Sequence, residues 1–175
     1  MLCQNAIFLS YLILNVFLCK VHCNSCKEEY DLSIKCNSFE DLFKYPDPEN
    51  QESVTVSGWD SDDSVKKDQD VFICDEPMFE KFSSVTFLTL NRARVLHIST
   101  DCFLGMNAVK AIDLQANEIT SIEMDSFRTS KDMELRAIFL NNNHIVKIDF
   151  ADIVLPEVTQ FEAYSNRVKY VRLKT

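Results

Sequence analysis

Cys23-Asn-Ser-Cys26 is the arrangement in this chain closest to a catalytic motif. A C-x-x-C pair that opens a helix after a strand lets the helix dipole lower one thiol's pKa, which supports thiol-disulfide exchange. Here the pair runs into Lys-Glu-Glu-Tyr-Asp, whose acids oppose thiolate formation. Seven cysteines in 175 residues, none in doubled C-x-x-C pairs, read instead as disulfide staples of an oxidising compartment. His22, His97 and His144 stand apart, the last two on loop positions, with no Cys or second His at zinc-ligand spacing. Asp60, Asp62 and Asp63 echo a calcium loop but lack its turn glycine and closing glutamate, so a solvated acidic loop is expected there. Gly58 and Gly105 are the only glycines, which removes phosphate-cradling loops, dinucleotide fingerprints and a serine elbow. No catalytic residue, metal or cofactor is expected, and enzyme activity is not supported.

Charge narrows the partners further. The chain carries 18 Lys and Arg against 27 Asp and Glu, a net charge of -9 that opposes phosphate backbones, so nucleic acid is not an expected partner. Residues 6–19, AIFLSYLILNVFLC, form an apolar run too short to cross a bilayer as a helix but suited to a signal-peptide core. Val21 and Cys23 fit the minus-three and minus-one positions of a cleavage site. Residues 1–23 therefore read as a signal peptide, and the mature chain is expected to be secreted, extracellular and free of the membrane.

An apolar spacing recurs from Val85 onward. Val85, Leu88, Leu90, Ala93, Val95, Ile98 and Phe103 return as Val109, Ile112, Leu114, Asn117, Ile119, Ile122 and Phe127. A third copy runs Leu135, Ile138, Leu140, Asn143, Ile145, Ile148 and Ile153, and a fourth Val158, Phe161, Ala163, Asn166, Val168 and Val171. Successive starts differ by 24, 26 and 23 residues, a solenoid period. Residues 85–175 are thus four repeats, the last incomplete.

This pattern resembles the leucine-rich repeat, L-x-x-L-x-L-x-x-N-x-L followed by a spaced phenylalanine. The resemblance implies an α/β-type solenoid whose L-x-L segments are short parallel strands lining a concave face. It also implies an asparagine ladder through Asn117, Asn143 and Asn166, looser at the first repeat where Ala93 replaces Asn, and a phenylalanine row of Phe103 and Phe127 that becomes Ile153. These residues fill and satisfy the coil interior; function falls to the residues between them.

Residues 24–84 lack the repeat and hold six Lys against sixteen acids, while residues 85–175 balance at eleven each. Solenoid ends need polar cover, and Cys26, Cys36 and Cys74 suit a disulfide-stapled, acidic amino-terminal cap in which YDLSIKC and DVFIC read as strands. This cap is similar to those of extracellular leucine-rich repeat proteins, in particular arthropod Toll receptors and secreted leucine-rich immune proteins. A strand-like VTVSGW stands between turn signals at Pro46, Pro48 and Gly58. After cleavage, Cys26, Cys36, Cys74 and Cys102 admit three pairings. Loop closure favours Cys26 with Cys36 and Cys74 with Cys102.

On the concave face the outward positions read Phe87, Ala111, Ala137 and Gln160; Thr89, Asp113, Phe139 and Glu162; and Asn91, Gln115, Asn141 and Tyr164. The candidate protein-binding residues are Phe87, Thr89, Asn91, Asp113, Gln115, Phe139, Asn141, Glu162 and Tyr164. An exposed Phe139 between two carboxylates would be the anchor, with charge setting orientation. No Asn-x-Ser or Asn-x-Thr sequon occurs to place a glycan on this face. By resemblance the chain is a recognition module for a protein ligand or co-receptor, in innate immunity or signalling. The alternatives are a matrix or adhesion component, or the first part of a Toll-like receptor ectodomain. The fourth repeat stops after Thr175 without a cap, so its open interior is expected to homodimerise through the carboxyl-terminal edge or to fray from about Pro156.

Overall fold

The computed structural model describes residues 26–29, 32–57, 71–74, 77–128, 134–149 and 157–172. Residues 1–23, expected to be a signal peptide, the acidic group Asp60, Asp62 and Asp63, and Ile153 lie outside them. Alternation of apolar and polar residues over three or four positions produces most of the short strands and turns one side chain in two inward; the first and last, Lys27–Glu29 and Tyr170–Arg172, are exposed throughout. Along the chain the strands are β1 (Lys27–Glu29), β2 (Ser33–Cys36), β3 (Ser53–Val56), β4 (Phe72–Cys74), β5 (Phe87–Thr89) and β6 (Val95–Ile98). They continue as β7 (Ala111–Asp113), β8 (Ser121–Glu123), β9 (Ala137–Phe139), β10 (Lys147–Asp149), β11 (Gln160–Glu162) and β12 (Tyr170–Arg172). His97 therefore lies in a strand, exposed, and not in a loop; His144 keeps its loop position.

One sheet has the order β1-β2-β3-β5-β7-β9-β11, parallel throughout except for the antiparallel β1–β2 pair at its edge. Its register aligns Ile34, Val54, Leu88, Ile112, Ile138 and Phe161, one core residue per coil. The returns carry two smaller parallel sheets, β4-β6 and β8-β10-β12. Among the described residues the one α-helix, α1 (Phe39–Phe43), lies in the first coil; 3-10 turns at Glu80–Phe82 and Met124–Phe127 serve later ones. The chain is a leucine-rich-repeat solenoid with a disulfide near its amino end.

The coil geometry begins before the motif becomes legible. Residues 24–84 were expected to lack the repeat, yet Val54 and Leu88 align, Cys74 pairs with Ile98, and the Phe79 ring packs tilted against that of Phe103 at 5.6 Å. Sixteen positions separate Val56 from Phe72, where five separate Leu90 from Val95, and that extra length hides the period. DVFIC accordingly forms β4 on the return side, while VTV of the strand-like segment forms β3 in the concave sheet.

Three interactions hold the coils. Asn117 Nδ2 donates to the Leu90 and Leu114 carbonyls at 2.7 and 2.8 Å, and its Oδ1 accepts from Ala93 N and Val95 N at 3.0 Å. Asn143 and Asn166 repeat the pattern onto Leu114, Leu140 and Ile119, and onto Leu140, Ala163 and Ile145. Each amide reaches back one coil, so the turn at Ala93 is closed by Asn117 rather than left loose. Second, an aromatic column runs from Phe39 through Phe72, Phe79 and Phe103 to Phe127. Third, disulfides join Cys26 to Cys36 and Cys74 to Cys102. Gly105, at φ 93°, lets its coil approach Glu80, whose Cα would stand 2.9 Å from an added Cβ.

The cap is tied by three further side chains. Ser38 caps α1 by accepting from Asp41 N at 3.2 Å. At the helix end, Lys81 donates to the Phe43 carbonyl and lies 5.4 Å from the Phe82 ring centroid, its pKa lowered by burial. Tyr45 OH donates to Glu28 Oε1 at 2.7 Å, and burial, then that bond, pushes the phenol up to about 12.

Two outcomes are expected. Asn117→Ala takes the partner from the Leu90 carbonyl and from the Ala93 and Val95 amides, at about 1 kcal/mol or more each, while the Leu114 carbonyl keeps Asn143, so chemical denaturation should show a loss of about 3 kcal/mol or more. Unchanged stability would mean that the ladder is redundant. For Tyr45, the folded pKa exceeds the unfolded one, so the native state retains the proton that the unfolded chain releases. Its stabilisation is complete below pH 10 and is lost as pH rises from 10 toward 12. Tyr45→Phe should remove that alkaline step from the stability profile.

Candidate protein-interaction face

Because inward side chains alternate with outward ones, the concave sheet presents its candidates in rows across neighbouring strands, roughly 4.8 Å apart. The first row is Ser33, Ser53, Phe87, Ala111, Ala137 and Gln160. The second is Lys35, Thr55, Thr89, Asp113, Phe139 and Glu162. The third follows the strand ends, where Arg92 N donates to the Gln115 carbonyl, Ala116 N to that of Asn141, and Asn142 N to that of Tyr164. Asn91, Gln115, Asn141 and Tyr164 are thereby brought to one side of the sheet.

Within these rows the residues differ sharply. Phe87 is 54% exposed and Tyr164 60%, so these two are the open aromatic groups. Thr89, Asn91, Asp113, Gln115, Phe139 and Glu162 are partly buried. Phe139 is thus partly buried rather than a fully exposed anchor. Asn141 corrects the surface reading more strongly: it is 0% exposed. Its Nδ2 donates to Gln115 Oε1 at 3.1 Å and Glu162 Oε2 at 2.9 Å, while its Oδ1 accepts from Tyr164 N at 3.0 Å. Asn141 positions other groups and is not itself a contact surface.

The two carboxylates are also held. Asp113 Oδ1 accepts from Gln115 N at 2.9 Å, closing a short turn on its own strand. Glu162 accepts from Asn141 and, through Oε1, from Gln160 Nε2 at 2.7 Å; these bonds, Asn141 first, lower its pKa. At the border of the sheet, Lys110 and Arg136 are exposed neighbours, with Arg136 N donating to the Lys110 carbonyl at 2.8 Å.

Sequence reasoning missed Ser33, Lys35, Ser53 and Thr55, which the cap strands contribute to the same face. The signal was present in Ile34-x-Cys36 and Val54-x-Val56, the same alternation as Leu88-x-Leu90, without the flanking period to identify it. At the far end of the solenoid, Val168, Tyr170 and Val171 are exposed on the last coil.

The family model described as leucine rich repeat matches residues 83–145. Among solved structures, the crystal structure of a TLR13-ssRNA13 complex is similar over 85% of this chain and 26% of that chain, with a TM-score of 0.58 and 13% sequence identity. The likeness is one of fold, and this chain spans about a quarter of that chain's length. A comparison with curated proteins finds no match.

Proposed function

We propose that this chain is a secreted recognition module that binds another protein across the C-terminal half of its concave sheet, in innate immunity or extracellular signalling. The observation carrying this reading is the convergence of Phe87, Asp113, Phe139, Glu162 and Tyr164 on one continuous parallel sheet whose opposite side is core. A fixed sheet bearing aromatic groups and pre-oriented carboxylates loses little entropy on binding, which suits a protein ligand. Two disulfides support an oxidising compartment, and among the described residues no helix is long and apolar enough to cross a membrane. A leucine-rich-repeat solenoid is typical of recognition modules rather than enzymes.

The RNA in the TLR13 complex belongs to that protein. On this chain the corresponding argument runs the other way, because Asp113 and Glu162 face the groove and would repel phosphate. The exposed Val168 and Val171 support self-association through the last coil as a separate property.

A photo-crosslinker at Phe87 should capture protein partners from native extracellular fluid, while one at His97, on the return side, should not. Phe139→Ala should weaken the captured complex by about 2 kcal/mol, roughly thirtyfold, with an unchanged folded spectrum. Crosslinking from His97 alone would move the interface off the concave sheet. For the edge, Val171→Lys should shift any dimer seen by light scattering to monomer, and a concentration-independent monomer in the native chain would reject that contact.

A further inference from the structure

We infer that the row Asp113, Phe139 and Glu162 is a receptor for a cationic side chain, arginine above lysine, presented by the protein partner. The inference rests on the concave-face reading above and specifies its chemistry. Register places Phe139 on the strand between those of Asp113 and Glu162, directly paired with each. At the roughly 4.8 Å strand spacing, a planar group laid on the Phe139 ring would have a carboxylate at either edge. A guanidinium meets this arrangement twice over, by its face on the aromatic ring and by its in-plane N–H donors toward carboxylate oxygens. An ammonium supplies the charge but neither the plane nor the fork.

Two observations separate this row from an ordinary solvated acidic surface. Several charges elsewhere on the repeats are paired within the chain: Arg94 with Glu118, Arg128 with Asp101, and Asp149 with both Lys147 and Arg172. Among the described residues, Asp113 and Glu162 have no lysine or arginine within ion-pair distance. Lys110 and Arg136 precede Asp113 and Phe139 by three residues and sit at the sheet border. Second, the carboxylates are positioned by neutral donors. Fully buried Asn141, together with Gln160, fixes both oxygens of Glu162, and the Gln115 amide fixes Asp113. Hydrogen bonds from neutral groups orient a carboxylate and favour its charged form without cancelling its charge. The row is therefore a preorganised negative site around a ring, and its complement is a cation.

The test uses the full chain and three pentapeptides of sequence Gly-Ser-X-Ser-Gly, blocked at both ends, with X as arginine, lysine or citrulline. Citrulline keeps the plane and length but removes the charge. Titration followed by NMR of the Phe139 ring should show arginine binding most tightly and citrulline weaker by about tenfold. Asp113→Asn with Glu162→Gln, which keeps the acceptor for Gln115 N and one of the two acceptors on residue 162, should abolish the preference for arginine over citrulline. Phe139→Leu should narrow the preference of arginine over lysine while retaining that for charge. Equal perturbation by arginine and citrulline, or undiminished arginine binding in the doubly neutral variant, would overturn the inference. If either result came with persistent crosslinking from Phe87, the cation receptor would fall and the concave interface would stand. Loss of crosslinking from Phe87 with arginine selectivity intact would reject the interface instead.

Discussion

One buried carboxamide per coil sets the geometry on which everything else depends. After each L-x-L strand the chain must turn sharply, and the turn leaves carbonyl and amide groups inside the solenoid where water cannot reach them. The side chain of Asn offers two donors and an acceptor at a length that reaches both its own coil and the one before; Asp would lack the donors. Asn117, Asn143 and Asn166 each use both ends in this way. Just before each stands a residue in the left-handed region, Ala116 at φ 55°, Asn142 at 57° and Ser165 at 54°, which turns the backbone inward. With turn and amide fixed, the next strand begins in register whatever the length of the return.

At the amino end this device gives out, and different forces take over. Ala93 has no amide to reach back with, and the preceding coil instead meets it through the β4–β6 pair and the bond from Phe72 N to the Arg94 carbonyl at 3.1 Å. The aromatic column carries cohesion across this boundary, with Phe39 and Phe72 stacked at 3.5 Å and Phe79 bridging to Phe103. Cys74 and Cys102, both buried, covalently join neighbouring coils at the same place. A cap built this way is an irregular coil of the solenoid rather than a separate lid.

Legibility followed the same division. From Val85 the period was readable because each core position recurs with its neighbours, and Asn117, Asn143 and Asn166 stood out as polar residues in an apolar frame. The coil containing Val54 was not readable, since residues 57–70 interrupt it and Cys74 stands where later coils have isoleucine. Exposure on the concave face was harder still. Alternation says which side of a sheet a residue faces, but it says nothing of how deeply neighbours bury it. Phe139 is partly covered, and Asn141 is enclosed by hydrogen bonds from the two neighbouring coils, which are far apart from it in sequence.

The run Asn141-Asn142-Asn143 shows how backbone position turns one side-chain chemistry into three roles. Asn143, facing inward, bonds the Leu114 and Leu140 carbonyls and holds the coil. Asn142 accepts the left-handed conformation that the turn requires, which asparagine tolerates better than most residues. Asn141, on the concave side, orients Glu162 and Gln115. Scaffold and concave face are thus adjacent in the chain and share one turn. Coil lengths vary because changes on the return side leave this turn untouched, whereas a shift of one residue here would take Asn143 out of the ladder and Asn141 off Glu162 and Gln115 together.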